Sequence, residues 1–108
     1  MIELEHEGYT IRIGQKQQEN ADLVDSSDPD DIWIHVANGP SAHGVISNPT
    51  GKKVPPKVIK RVCCLMKAGS ERYKRVNKLE FSVTKIKNLQ PSTNLASFIA
   101  SDCKSVTI

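Results

Sequence analysis

Asp31-Ile32-Trp33-Ile34-His35-Val36 is the stretch that decides the fold. Side chains of a β-strand alternate between its two faces, so Ile32, Ile34 and Val36 share one side while Asp31, Trp33 and His35 share the other. One side suits an aliphatic core, and the other carries an aromatic ring, an imidazole and a carboxylate. Ala37-Asn38-Gly39-Pro40-Ser41 follows with turn chemistry, and Ala42 to Ser47 reads as the returning strand. If that hairpin pairs Val36 with Ala42, His35 lies opposite His43, with Cβ atoms about 4.5–5.5 Å apart. A register slip of one residue separates the two imidazoles.

Upstream, Ile2 to Glu5 and Tyr9 to Ile13 alternate at period two around His6-Glu7-Gly8, which predicts a β-hairpin. Gln15 to Val24 predicts a helix with a thin apolar face of Ala21 and Val24, and Asp25 to Asp30 is a loop by composition. Downstream of the loop Asn48 to Lys53, Pro55-Pro56 opens the strongest helix, since proline suits a first turn. Val58, Ile59, Val62, Leu65 and Met66 form its apolar stripe, and Lys57, Lys60, Arg61 and Lys67 gather on the opposite side, with Gly69 as the expected stop. Ser70 to Asn77 is a basic loop. Leu79 to Val83 reads as a strand with Leu79, Phe81 and Val83 inward, and Ala96 to Ile108 as a closing hairpin with its turn at Ser101 to Lys104. Hairpins mixed with two helices predict an α+β fold: a largely antiparallel sheet of hairpins with two helices packed on it, one domain over residues 1–108.

The net charge of +3 conceals a separation along the chain. Residues 1–50 carry two basic and nine acidic side chains, whereas residues 51–90 carry twelve basic and two acidic ones. The basic set is Lys52, Lys53, Lys57, Lys60, Arg61, Lys67, Arg72, Lys74, Arg75, Lys78, Lys85 and Lys87. The plainest account is that the two halves attract one another within the fold, but the excess of cations leaves basic surface over. Lysine and arginine on a surface neutralise phosphates and release counterions, which fits RNA, DNA or an anionic surface equally. No apolar run approaches the ~20 residues of a membrane-spanning helix, and the acidic, alternating start is unlike a secretory signal. Three cysteines, Cys63, Cys64 and Cys103, read as free thiols of a reducing compartment. The expectation is a cytoplasmic protein without a membrane partner.

Trp33 admits two readings, a core tryptophan with a bonded indole nitrogen or a base-stacking platform beside Asp31 and His35. His35, His43 and Asp31 are metal-ligand types, but their spacing matches no ligand motif, so a hydrogen-bonded structural pair is preferred. No nucleophile motif, phosphate-cradling glycine loop or paired catalytic carboxylates occur. The expectation is a non-catalytic domain without cofactor or metal.

Taken in order, these pieces resemble the NFACT-R domain, the RNA-binding module of the NFACT proteins. Gly14 with Glu19-Asn20-Ala21-Asp22-Leu23 resembles its opening helix, and Asp31-Ile32-Trp33-Ile34-His35-Val36 its central Asp-x-Trp-x-His strand. Gly39-Pro40-Ser41-Ala42-His43, the proline-started helix with Ser70, and Glu80 to Leu89 resemble the segments that follow. Two features depart from the family: Gln90-Pro91-Ser92-Thr93 has no lysine where relatives are basic, and Ala42 stands where glycine or serine is common. The resemblance implies binding to ribosomal or transfer RNA, with the large ribosomal subunit as a partner in ribosome quality control. Without the family's large N-terminal domain and coiled coil, the chain reads as a standalone module or a piece of a longer protein. The expected interface is the basic set, with Asp31, Trp33, His35 and His43 as an adjoining polar face. Alternatives are docking on an acidic ribosomal or quality-control protein, DNA binding, and, third, a metal-dependent hydrolase.

Overall fold

A computed structural model describes residues 1–91 and 98–108. The strands are β1 (Ile2–His6), β2 (Tyr9–Gly14), β3 (Ile32–Val36), β4 (His43–Ile46), β5 (Glu80–Lys85), β6 (Leu89–Pro91), β7 (Phe98–Ala100) and β8 (Lys104–Thr107), and the helices are α1 (Gln17–Asp25) and α2 (Pro56–Ala68). Six strands form one sheet in the order β1-β2-β4-β3-β5-β8, and every neighbouring pair is antiparallel. The α+β reading of hairpins carrying two helices is what the chain adopts.

The turn joining β1 to β2 places Glu7 at φ 54° and Gly8 at φ 82°, the doubly positive geometry whose twist matches a two-residue hairpin. Between β3 and β4 the ladder pairs Ile32 with Ile46, Trp33 with Val45 and Ile34 with Gly44. Extended by one step, that register sets His35 opposite His43, as the Val36–Ala42 pairing requires.

Helix α2 lies on the aliphatic face. Its Val58, Val62, Cys63 and Met66 are buried in a core with Ile11, Ile13, Ile34, Ile46 and Phe81. Gly44 sets the approach: a Cβ built there would stand 2.8 Å from Met66 Sδ and 3.2 Å from a Val62 methyl. Helix α1 lies on the opposite face, where Leu23, Trp33 and Val45 make a smaller core. Its buried residues are Asn20 and Leu23; Val24 of the expected Ala21 and Val24 face packs partly buried against this core, and Asn20 lies against Gly14. A Cβ on Gly14 would fall 2.5 Å from Asn20 Oδ1.

Gly69 ends α2 as expected, in the right-handed region at φ −83°. One further expectation is corrected. The closing segment is not a hairpin with itself. Strand β7 pairs with β6 in a separate two-stranded ribbon, and β8 pairs with β5 at the edge of the main sheet. Asp102, at φ 53°, redirects the chain between them, and Thr84 Oγ1 anchors that turn by donating to Ser101 O at 2.8 Å. Ala96 and Ser97 lie outside the described residues. No helix among the described residues is long and apolar enough to cross a membrane.

Phe81 is fully buried between α2 and the sheet. Phe81→Ala is expected to lower unfolding free energy by about 3–5 kcal/mol. Urea denaturation with an unchanged m-value checks this, and a loss below about 1 kcal/mol would place the core elsewhere.

Candidate nucleic-acid interface

The separation of charge along the chain becomes a separation across the sheet. Lys52 and Lys53 lie in the loop entering α2, Lys57, Lys60 and Arg61 on its outer side, and Arg72, Lys74, Arg75 and Lys78 in the loop leaving it. That second loop is fixed to the α2-side core by Tyr73, which is buried there and donates its hydroxyl to Pro40 O at 2.8 Å. The carboxylates Glu3, Glu5, Asp22 and Asp25 belong to β1 and α1, and β1 pairs Glu3 with Arg12 and Glu5 with Thr10, on the α1 side of the sheet. Attraction between the two halves is correspondingly slight. Among the described residues its ion pairs are Lys57 with Glu7 at 3.3 Å and Lys85 and Lys87, each 3.4 Å from Asp30. Those two lysines hold the Asp30 carboxyl below its ordinary range, through hydrogen bonds first. Lys74 pairs locally with Glu71. Among the described residues, no ion pair engages Lys52, Lys53, Lys60, Arg61, Lys67, Arg72, Arg75 or Lys78. Lys67 is spent in part on the fold, donating to Ile108 O at 3.0 Å.

Lys52, Lys53, Lys60 and Lys85 come together around one groove between the start of α2 and the β5–β8 edge. Lys104 completes that rim and was not expected there, because Asp102 beside it cancels its charge in the sequence. Only the pairing of β8 with β5 reveals it.

Trp33, His35 and His43 do not adjoin this surface; the sheet lies between them. Trp33 is only 4% exposed, so it is a core tryptophan and not an open stacking platform. Its indole N–H donates to His43 Nδ1 at 3.2 Å. His35 stacks on Trp33 with ring centroids 5.4 Å apart and planes within 4°, and meets His43 edge to face at 4.9 Å. His35 Nδ1 lies 2.6 Å from Val36 O, so the proton sits on Nδ1. The backbone N–H of His43 is held by Asn20 Oδ1 at 3.3 Å, the atom for which Gly14 makes room.

Asp31 stands apart from the histidines. It is buried, and its two oxygens accept from the backbone N–H of Asp28 at 2.9 Å and of Asn48 at 2.8 Å. Its carboxylate ties two loops together and does not face the imidazoles. Among the described residues, no three His, Cys, Asp or Glu side chains are grouped to hold a metal ion.

Burial, and then the neighbouring His35, push His43 down to about 4, and the Trp33 N–H aimed at Nδ1 opposes a proton on that nitrogen. Between that value and the ordinary 6.5 the unfolded chain binds more protons than the folded one, so stability falls as pH falls through this window. His43→Asn keeps an acceptor for Trp33, its Oδ1 taking the place of Nδ1, and removes the titration. Its melting temperature is expected to depend less on pH than the parent's from about pH 6.5 to about pH 4; parallel curves would contradict the assignment.

With this geometry in place, comparison with known proteins is informative. A family model described as "NFACT protein RNA binding domain" matches residues 1–101. Coiled-coil domain-containing protein 25 of Mus musculus is 32% identical over 90 residues, covering 81% of this chain and 43% of that protein. The Danio rerio protein of the same name is 30% identical over 90 residues, covering 81% of this chain and 44% of its own length. The chain thus spans less than half the length of these relatives. Among solved structures, the C-terminal part of the fibronectin/fibrinogen-binding protein from Streptococcus suis superposes with a TM-score of 0.82 over 98% of this chain and 43% of that one, at 19% identity. That likeness shows a shared fold. The Gly14, Asn20, Trp33 and His43 network and the match over nearly the whole length lead to one conclusion: the chain belongs to the NFACT RNA-binding domain family.

Proposed function

We propose that this domain binds structured RNA, ribosomal or transfer RNA, without catalysing a reaction, and that it does so through the cationic surface around α2. The observation that carries this reading is the one-sided, largely unpaired set of lysines and arginines. A helix of 13 residues is about 20 Å long, so Lys52 and Lys53 at its start and Arg72 and Arg75 beyond its end are spaced to meet phosphates several nucleotides apart along a backbone. Such contacts give affinity without reading sequence, and membership of an RNA-binding family supports RNA over DNA. The same family likeness supports a place on the large ribosomal subunit in ribosome quality control.

The His35–Trp33–His43 cluster has a supporting role in this reading. It fixes β3 against β4 and α1 and so holds the sheet on which α2 rests. Asp31 likewise positions the loop that contains Asn48, whose Nδ2 donates to Lys52 O at 2.8 Å. Two hydrogen bonds through Asn48 therefore link the buried carboxylate to the backbone of Lys52.

Titration of labelled transfer RNA at about 50 mM and about 200 mM salt is expected to show affinity falling at least about tenfold. The Lys60→Glu, Arg61→Glu double variant is expected to bind about tenfold more weakly at the lower salt and to show a shallower salt slope. Binding indifferent to salt overturns the reading. A pull-down of ribosomal proteins that survives nuclease treatment would favour docking on an acidic protein instead.

A further inference from the structure

The groove between α2 and the β5–β8 edge has a form that phosphate contact alone does not require. Its volume is about 510 Å³, within the ~300–1,000 Å³ range of pockets that enclose small ligands. The floor is aliphatic, made by Val54, Ile59, Val83 and Val106, while Lys52, Lys53, Lys60, Lys85 and Lys104 stand around it. Val54 and Val83 are buried, and Ile59 and Val106 are half-buried. Of the five lysines, only Lys85 has an ion pair among the described residues, and it shares Asp30 with Lys87.

The origin of the groove is packing. Gly44 draws α2 toward β4, and β8, paired to β5 alone, extends the sheet beyond the helix. The aliphatic side chains of β5 and β8 near the helix start therefore face a gap fenced by cations.

We infer that this groove takes one unpaired nucleotide of the bound RNA, its base laid on the aliphatic floor and its flanking phosphates on the lysines. The inference rests on the RNA-binding reading and narrows it. A continuous duplex would meet the lysines but leave the floor empty, because its bases are stacked inside. Extracting one costs a few kcal/mol, whereas loops and ends of structured RNA already present unstacked bases. The flat faces of a base are apolar enough to cover Ile59 and Val106. Asn88 and Asp102 also line the groove, the Asn88 amide donating to Thr84 at 3.0 Å. Among the described residues no aromatic side chain lines it, so the base is held by burial on the aliphatic floor and not by ring stacking.

The test compares an RNA hairpin carrying a four-nucleotide loop with a blunt RNA duplex of equal phosphate number. Ile59→Trp fills the groove without altering charge. It is expected to weaken hairpin binding about tenfold, equivalent to about 1.4 kcal/mol, while duplex binding changes less than about twofold. If Ile59→Trp melts early, methyl NMR of the unaltered protein decides: shifts at Ile59, Val83 and Val106 with the hairpin and not with the duplex support the inference. Hairpin affinity unchanged in Ile59→Trp, or floor methyls unmoved by the hairpin, overturns it even where salt-dependent RNA binding persists. Floor methyls that respond to an oligo-glutamate peptide and not to RNA overturn it in favour of an acidic peptide. An unaltered protein that binds neither RNA at low salt defeats the broader reading instead.

Discussion

The seating of α2 on the aliphatic side of β3 and its neighbours governs the rest of this molecule. Val58, Val62, Cys63 and Met66 meet Ile34, Ile46 and Phe81, and Gly44 permits that approach because it has no side chain to intrude. Burial of each such side chain is worth roughly 1.5–3 kcal/mol, so the choice of face is strongly fixed. Once it is made, strand alternation assigns every other residue. Trp33, His35 and His43 go to the α1 side, and the loops that enter and leave α2 bring their lysines and arginines to the other. A gradient of charge along the chain is thereby turned into a difference between two faces, the arrangement that gives a surface a directed field.

The α1 side presents a different problem, because polar groups are buried there. A buried polar atom left without a partner costs roughly 1–3 kcal/mol, and among the described residues every buried side-chain nitrogen and oxygen has one. Gly14 admits Asn20, Asn20 holds the His43 backbone, Trp33 donates to His43, and Ser41 Oγ accepts from Val36 N at 3.1 Å. The interactions of these residues are with one another. The exposed cations of the α2 side are lysines and arginines that no motif marks. The polar network and the exposed lysines and arginines around α2 therefore lie on opposite faces of the sheet.

Much of this was legible in the sequence for a physical reason. Period-two alternation in residues 31–36, the Gly39-Pro40 turn and the five-residue apolar stripe of α2 are local patterns whose consequences are also local. They gave both helices, the first two hairpins and the facing of His35 with His43. What was not legible is non-local. Alternation in residues 98–108 shows that strands form but not which strands they join, so β7 and β8 were wrongly paired with each other. The side of the sheet that α2 would cover had to be known before Trp33 and His35 could be separated from the basic face. The reading of Asp31 as their companion failed because backbone N–H groups of Asp28 and Asn48, from two different loops, converge on it. Lys104 was hidden by its neighbour Asp102 until β8 took its place beside β5.

Photocrosslinking of the domain to transfer RNA, with mass spectrometry of the linked peptides, bears most directly on the claim that the α2 face is the RNA-binding surface. Crosslinks in residues 51–61, 70–78 and 104–106 are the expected result. Crosslinks concentrated in β1 and α1, on the acidic side of the sheet, would contradict it.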